Sequence, residues 1–401
     1  MVAAMIFSSK TTLVDQTAQI GTQRLATRLN FFSLGFATAA WAPLIPYAQS
    51  RLHFNHADFG LLLLCMGIGS MLAMPATGAL VQRLGSRFMI GLAVLILLTL
   101  LPSLAVLSSP VPMAVALFLF GTAAGSFGVA LNLQAVIVEK NSARPSMSGF
   151  HGMCSLGGLS GVMLMTGLLA AGISPLLATL LISGLLLLIA VIALPGCLSR
   201  IEKEPENVRS QQAKPARGLP PMTILLIGMM CFIAFLSEGA AMDWSGIYLT
   251  SQYQVSTAFA GLAYTFFAIT MTLGRFSGRH LLQLLGEQKI VSYSAICAAA
   301  GLLVVVAAPH WMVVLLGYAL VGLGCSNIVP VMFSRVGRQN LMGKAAALSC
   351  VSTMAYSGSL MGPALIGMIG ELTSLMFMFS LIALLLLVIA LLNKFTQVDH
   401  A

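Results

Sequence analysis

Residues Met222 to Tyr248 read MTILLIGMMCFIAFLSEGAAMDWSGIY, a long apolar run that contains two acidic residues. It is long enough to cross a bilayer as one helix, because about 20 apolar residues span a hydrocarbon layer roughly 30 Å thick. Glu238 would lie about 24 Å along that helix from Met222, and Asp243 follows five residues later. Ionisable side chains at such depth are costly and usually face a bundle interior or a water-filled cavity, so we expect a functional role for them.

The composition of the whole chain is that of a polytopic membrane protein. Of 401 residues, 58% are hydrophobic and only 8% are charged, whereas soluble domains carry about 25% charged residues. The apolar runs are long and continuous, which predicts an all-α bundle of membrane helices and excludes a barrel of alternating strands. The seven cysteines show no CxxC spacing, and no HExxH, catalytic triad or nucleotide loop stands in a supporting context. We therefore expect no metal, no cofactor and no enzymatic activity.

Hydropathy predicts twelve membrane spans whose loops are strongly asymmetric in charge. When the loops are assigned alternately to the two sides, Arg51 stands alone on one side and every other Lys and Arg lies on the opposite side. By the positive-inside rule both termini are cytoplasmic, and the net charge of +9 needs no nucleic-acid partner. The predicted spans are 29–48, 58–81, 88–107, 113–138, 148–171, 174–194, 222–248, 257–278, 290–308, 311–333, 344–370 and 374–392.

The two halves of the chain repeat each other at a fixed offset, which places His53 over Gln254. At this offset Gly60 matches Gly261, and Gly121, Gly157 and Gly161 match glycines in the equivalent spans of the second half. This pattern predicts two six-helix bundles in parallel orientation, as in certain transporters. The predicted organisation is a cytoplasmic tail (1–28), a first bundle (29–198), a cytoplasmic linker (199–220), a second bundle (221–393) and a short cytoplasmic tail (394–401).

The loop between spans 2 and 3 reads GALVQRLGSR and resembles the signature G-x-x-x-D-R-x-G-R-R/K of the major facilitator superfamily. The acidic position of that signature, which pairs with basic residues to latch a gate in the family, is filled by glutamine in both halves, so a charge-based latch is in doubt. Further segments around Phe150, Ser155, Glu238 and Gly274 resemble a subgroup of bacterial inner-membrane permeases. The candidate gating or loop residues are Gly78, Gln82, Arg83, Gly85, Arg87, Arg275 and Gln283.

The resemblance implies a transporter that works by alternating access, in which two six-helix bundles rock about a cavity lined by spans 1, 4, 7 and 10. It also implies a multi-pass protein of the bacterial inner membrane that acts as a monomer. Polar residues within those spans are the candidates for the cavity wall, although hydrogen bonding between helices is an alternative role. These substrate-cavity candidates are Asn30, Asn132, Gln134, Trp244 and Asn327.

The candidates for proton coupling are Glu238, Asp243 and His151. An apolar environment disfavours a charged carboxylate, so protonation of Glu238 could couple a proton gradient to transport. Alternatively, Glu238 is a structural partner of Arg275, Asp243 and Trp244 form an interfacial pair, or His151 is merely packed. The two acids lie about 140° apart around a straight helix, so the helix must bend or unwind near Gly239 or Gly246 if both act.

Two further patterns give expectations that the structure can test. His53, His56 and Asp58 have spacing suggestive of a metal site, but Asn55 and Asp58 are spaced as a helix cap and its partner, with Ser256 as the counterpart cap in the second half. Glycines recur at three- or four-residue spacing in spans 4, 5 and 11, which favours close helix contacts. We expect these glycines to lie between helices of opposite halves, where surfaces must slide.

The sequence therefore predicts a secondary active transporter, in contact with lipid, that couples protons to a small-molecule substrate. The carboxylates and amides favour a neutral, hydroxyl-rich or cationic solute. A multidrug or metabolite efflux antiporter is one alternative, although Gly362-Pro363 occurs only in span 11 and the family's span-5 antiporter signature is missing. A non-transporting membrane sensor of the same fold, which would bind solute without counterflow, is the other.

Overall fold

The computed structural model describes residues 2–141, 147–199, 220–339, 341–342 and 344–396. The predicted linker at 199–220 and the end of the predicted C-terminal tail lie almost wholly outside these residues. Every regular element in the described part is helical. The α-helices are α1 (Val2–Ala39), α2 (Ile45–Leu52), α3 (His56–Leu84), α4 (Ser86–Val106), α5 (Pro110–Lys140), α6 (Met147–Ala170), α7 (Pro175–Ala193), α8 (Met222–Gly239), α9 (Ser245–Tyr253), α10 (Leu262–Ala307), α11 (Trp311–Cys325), α12 (Ile328–Arg338), α13 (Lys344–Leu372) and α14 (Leu375–Leu392).

The helices are long and apolar enough to cross a membrane many times. Ten segments of the described residues qualify by length and composition. One of them, Thr257–Ala307, has 51 residues, which at 1.5 Å per residue is about twice the thickness of a hydrocarbon layer. Its backbone turns at Gly286, where φ is +75°, so it can supply two crossings. With that division, and with the 29-residue helix α13, the helices are compatible with the twelve predicted spans.

The backbone repeats with the same offset as the sequence. His53 and Gln254, which the offset matches, both have a φ of +54°. Gly85 and Gly286 are matched in the same way, with φ values of +83° and +75°. Positive φ is uncommon for residues other than glycine. Its recurrence at matched positions therefore supports the interpretation that residues 2–199 (the first half) and 220–396 (the second half) are structural copies.

Arg51 is the one basic residue on the predicted extracytoplasmic side, which is called the outer side below. Its side chain caps the C-terminal end of α4. Its guanidinium donates hydrogen bonds to the carbonyl oxygens of Leu104 at 2.7 Å and Leu107 at 2.8 Å. These carbonyls belong to the last turn and the C-cap of α4, where no later residue of the helix donates to them. In the second half the hydroxyl of Tyr253 donates at 2.8 Å to the carbonyl of Ala308, which is the counterpart of Leu107 in the repeat.

The glycine-rich contacts lie within each half, so the expectation that they lie between the halves was wrong. A Cβ atom on Gly157 of α6 would collide with the carbonyl oxygen of Phe32 on α1. The matched Gly358 of α13 has the same relationship to the carbonyl of Phe232 on α8. These glycines therefore bring two backbones of one bundle into close contact, as small residues do in membrane proteins.

The two halves meet through a smaller set of symmetric contacts. Helix α3 packs against α13, α10 against α6, and α2 against α9. At the outer ends of these helices, Gly60 lies against the backbone of Pro363, and the matched Gly261 lies against the ring of Pro43. A side chain larger than hydrogen would not fit at either position without displacement. The outer side is thus closed by close packing between the first and second halves.

Candidate functional site

The seventh predicted span is interrupted between its two acids. Helix α8 ends at Gly239, a π-helical segment covers Ala240–Trp244, and α9 begins at Ser245. A π-helix bonds residues five apart instead of four, so it changes the angle between side chains and frequently occurs at functional sites. The expected distortion between Glu238 and Asp243 is confirmed, and it takes the form of an inserted wide turn.

A cavity of about 270 Å³ lies between the two halves beside this turn. Helices α1 and α6 form one wall, and α8, α10 and α13 form the other. Both walls contribute polar groups to a mainly apolar surface. The polar side chains that line the cavity are Thr38, Ser155, Glu238, Tyr264, Thr272, Arg275 and Ser359.

Glu238 and Arg275 form an ion pair in the cavity wall. The Oε2 atom of Glu238 lies 3.6 Å from the Nη2 atom of Arg275, and the side chains are 20% and 39% exposed. Partly exposed pairs contribute only about 0–1 kcal/mol to stability. The other carboxylate oxygen, Oε1, is buried without a hydrogen-bond partner among the described residues. The pair is thus a weak stabilising element in the wall of the cavity.

Arg275 also contacts the opposite half of the chain. Its Nη1 donates to the hydroxyl of Ser155 on α6 at 3.4 Å. Since Glu238 and Arg275 both belong to the second half, this hydrogen bond is a polar link from their ion pair to the first half. A change in the charge of Glu238 would alter the electrostatic balance on Arg275 and hence this link.

Aromatic rings form part of the apolar surface. Tyr264 and Phe267 are stacked on α10 with ring centroids 5.7 Å apart and an interplanar angle of 19°, and both line the cavity together with Phe235. Aromatic faces favour offset stacking with other flat or apolar groups. The cavity therefore combines a ring platform with hydroxyl groups and one ion pair.

Asp243 and Trp244 are placed differently from Glu238. Neither lines the cavity, and they are 2% and 0% exposed. The indole of Trp244 lies 5.8 Å from the ring of His56 in the first half. The alternative that this pair sits in the interfacial aromatic belt is therefore wrong, because the indole is enclosed by protein. The two acids occupy separate environments on one span.

His151 does not line the cavity. Its ring packs edge to face on Phe31 with a centroid distance of 5.1 Å. The residue is nevertheless exposed, so both the packed alternative and a relay role for His151 stay predictions.

The amides proposed for the cavity are bonded inside the bundles, apart from Asn132. Asn30 donates to the Sγ of Cys197 at 3.2 Å, Gln134 accepts from the amide of Leu198 at 3.2 Å, and Asn327 donates to the carbonyl of Gly274 at 3.1 Å.

Asn132 is exposed and bonds its own helix at the carbonyl of Gly128. None of the proposed amides or Trp244 is among the residues that line the cavity. The bonds of Asn30, Gln134 and Asn327 agree with the alternative of helix-to-helix hydrogen bonding, whereas that of Asn132 does not.

The signature loop joins two helices of the first half. Gly85 ends α3 with its positive φ, and Arg87 donates from its backbone amide to the carbonyl of Leu198 at 2.9 Å. The Arg87 side chain also donates to the carbonyl of Cys197 at 3.1 Å. The loop is thereby fixed to the end of α7. Of the other candidates, Gly78 lies in α3 with open space beside it, and Arg83 and Gln283 are exposed.

The histidine-rich turn is a helix start. Asn55 precedes α3, and its Oδ1 accepts a hydrogen bond from the amide of Asp58 at 2.7 Å, as predicted. The predicted counterpart in the second half was wrong, because the side chain of Ser256 makes no capping hydrogen bond. The second span of the second half begins instead with a short 3₁₀ turn over Thr257–Phe259, where the backbone amides of Phe259 and Ala260 donate to the carbonyls of Ser256 and Thr257.

Several residues of the cavity wall were not predicted from the sequence. Ser155, Tyr264 and Thr38 line it, yet none carries a charge that marks a membrane helix as unusual. Spans 5, 8 and 11 contribute to the wall, whereas spans 4 and 10 contribute none of the lining residues. The repeat offers one signal that was available, since spans 5 and 11 occupy equivalent positions in the two halves.

Comparison with known proteins gives consistent results. A sequence model described as the Major Facilitator Superfamily matches residues 29–242. An MFS-type transporter of Yersinia pestis is 42% identical over 381 residues, which cover 95% of this chain and 97% of the relative. Among solved structures, a mutant form of the nucleoside transporter NupG superposes with a TM-score of 0.73 at 14% identity over 93% of this chain and 99% of that chain. A D-xylose-proton symporter superposes with a TM-score of 0.72 at 14% identity over 93% and 97% of the two chains.

Proposed function

Because the chain belongs to the major facilitator superfamily, we propose that it is a proton-coupled carrier that moves a small solute across the bacterial inner membrane by alternating access. In this proposal the first and second halves rock as two units, both termini are cytoplasmic, and one monomer is sufficient. The contacts within each half, made through tightly packed glycines such as Gly157 and Gly358, support movement as rigid units.

The observation that carries the proposal is the ion pair between Glu238 and Arg275 in the wall of the cavity between the halves. A carboxyl group with one face toward an aqueous cavity and the other toward apolar helices can take up and release a proton. Glu238 meets this description, since its Oε1 is buried without a partner among the described residues while the side chain keeps 20% exposure.

Protonation of Glu238 would act through Arg275. The neutral acid attracts the guanidinium far less, so Arg275 would gain freedom to bind a solute or to strengthen its contact with Ser155 across the interface. Either change alters the free-energy difference between the two arrangements that the halves adopt in alternating access. Protonation is thereby coupled to the conformational change. The proton and the solute then influence each other's binding through one residue.

The chemistry of the cavity favours an uncharged, hydroxylated solute with a flat or apolar face, or a cation. Hydroxyl groups of Thr38, Ser155 and Ser359 can exchange hydrogen bonds with hydroxyls, and the stacked Tyr264 and Phe267 can receive a ring. The solutes named for the structurally similar proteins, nucleosides for one and D-xylose for the other, are of this chemical type.

Reconstituted protein tests the proposal in two steps. A thermal-shift screen of sugars, nucleosides, amino acids and organic cations identifies a ligand that raises the unfolding temperature. Uptake of that ligand into proteoliposomes is then measured with an imposed pH gradient, with and without a protonophore. We expect the gradient to accumulate the ligand and the protonophore to abolish accumulation. Accumulation that ignores the gradient would contradict proton coupling, and binding without counterflow would support the sensor.

A further inference from the structure

Asp243 is a second buried acid that the proposed coupling through Glu238 does not use. Its side chain is 2% exposed, and its Oδ1 has no hydrogen-bond partner among the described residues. The indole nitrogen of Trp244 and the hydroxyl of Ser245 are buried in the same way. Three consecutive residues, where the π-helical turn meets α9, thus have buried polar atoms that form no hydrogen bond with the described part of the protein.

The protonation state of Asp243 follows from this environment. A carboxylate that is removed from water without a compensating hydrogen bond or cation is so unfavourable that the group takes up a proton instead. Tyr264 on α10 interacts electrostatically with Asp243, and its neutral phenol cannot balance a negative charge. In the arrangement seen here, the environment therefore favours the neutral form of Asp243 over the carboxylate.

The turn that carries Asp243 is part of the outer closure between the halves. Trp244 faces His56 of the first half at 5.8 Å. The backbone amide of His56 donates to the Oε2 of Glu371 in the second half at 2.9 Å, and its ring contacts the amide of Gln49 at 3.3 Å. If the outer side opens, the contacts of His56 with Trp244 and Glu371 separate, and water reaches the π-helical turn.

We propose that Asp243 is a proton-binding site distinct from Glu238, filled from the outer side, and that its proton holds the outer side closed. The inference rests on the proposed alternating access and deepens it by assigning regulation to the outer closure. Glu238 would couple transport at the cavity, whereas Asp243 would couple the position of the outer gate to the external pH.

The direction of the pH dependence follows from proton binding in the two states. The closed state keeps the proton on Asp243, whereas in the open state the carboxyl group is in water, where aspartic acid ionises near pH 4. Closing therefore takes up a proton, and low external pH favours the closed state. For one proton, the ratio of closed to open protein rises by up to about tenfold for each unit by which the pH falls.

Spin-label distances across the outer side test this proposal. Ser108 and Pro309 are exposed, lie in matched outer loops of the two halves, and would each be replaced by cysteine in a chain whose own seven cysteines are replaced by serine. The distance distribution would be measured in nanodiscs between pH 5 and 8.5 without any solute. We expect the short-distance population to grow as the pH falls in the parent chain, and to stay large at every pH in Asp243→Asn, which mimics the neutral acid.

Three matched variants assign the titrating group. Glu238→Gln and His56→Gln remove two other titratable groups near the turn and should keep the pH dependence, with a slope within about twofold of the parent. Asp243→Ser, a smaller replacement without a titratable group, should lose it as Asp243→Asn does. The proposal is overturned if the parent is insensitive to pH, if both Asp243 variants keep the slope, or if Glu238→Gln or His56→Gln abolishes it. Failure of this proposal and failure of proton coupling at Glu238 are distinguishable, because the first leaves the slope in both Asp243 variants and the second leaves solute accumulation insensitive to the imposed pH gradient.

Discussion

Gln134 and Arg335 occupy matched positions of the repeat and fasten equivalent helix ends in the two halves. Gln134 accepts a hydrogen bond from the amide of Leu198, just beyond α7. Arg335 donates to the Oδ1 of Asn393 at 2.7 Å and the hydroxyl of Thr396 at 2.8 Å, just beyond α14. Each residue thus ties the fourth span of its half to the end of the sixth.

Replacing Arg335 should destabilise the second half. Its side chain is 4% exposed and lies 3.5 Å from the carboxylate of Glu287, so Arg335→Met leaves several buried acceptors without a donor. Loss of hydrogen bonds to a charged group costs roughly 2–3 kcal/mol. The unfolding temperature in detergent should fall clearly. Arg338→Met is the matched control, because Arg338 pairs with the same Glu287 but is 46% exposed, and it should change that temperature little. Equal effects of the two variants would contradict the role given to Arg335.

A methyl group at Gly157 should separate two helices of the first half. The added carbon would collide with the carbonyl oxygen of Phe32, so Gly157→Ala should lower the unfolding temperature although alanine favours helix by about 1 kcal/mol. On the same helix, Gly167 has nothing within 4 Å of its Cβ position, and Gly167→Ala should be neutral or stabilising. A neutral Gly157→Ala would show that the two backbones are not in close contact.

Removing the aromatic ring of Tyr264 should weaken binding of a ring-containing solute. Tyr264→Ala loses the stacked platform on Phe267, and stacking is worth about 0.5–1.5 kcal/mol, so the dissociation constant should rise roughly 2- to 10-fold. Tyr264→Phe keeps the ring and should bind within about twofold of the parent. Calorimetry with the ligand from the thermal-shift screen measures both. If Tyr264→Phe loses as much affinity as Tyr264→Ala, the hydroxyl and not the ring makes the contact.

Removing the hydroxyl of Ser155 should weaken the link between the ion pair and the first half. Ser155→Ala leaves the Nη1 of Arg275 without its 3.4 Å hydrogen bond across the interface, while the pair with Glu238 is retained. We expect a change in transport rate of severalfold with solute affinity nearly unchanged, because the contact joins the halves. Ser160, also on α6, donates to the carbonyl of Leu156 in its own helix, so Ser160→Ala is the control. An unchanged rate in Ser155→Ala would remove the link from the mechanism.

The sequence predicts the fold well and the site only in part, and particular residues explain the difference. Membrane helices follow from composition because the bilayer forces every backbone group to be satisfied within the chain. His53 and Gln254 share a positive φ in the structure, and the offset between the two halves of the sequence already matched these two positions. Glu238 was recognisable because a carboxylate within an apolar run is rare.

The cavity wall was harder to predict because its remaining members are ordinary membrane residues. Thr38 and Tyr264 become part of a site only through the way α1 and α10 are rotated, and a sequence does not give that rotation. Conversely, Asn30 and Gln134 are conspicuous in the sequence but are consumed in hydrogen bonds inside one bundle. The partner of a buried amide depends on tertiary packing, so polarity alone could not separate the two roles.

The proposal that Glu238 couples protons to solute transport can be tested by measuring solute-driven proton movement in Glu238→Gln. Proteoliposomes that contain the protein are placed in weakly buffered medium, and the external pH is recorded when the identified solute is added. We expect the parent chain to give a pH change that a protonophore abolishes. Glu238→Gln should give none while still exchanging labelled solute across the membrane, and Asp58→Asn, an exposed acid at the start of α3, should behave as the parent. A full solute-driven pH change in Glu238→Gln would contradict the account.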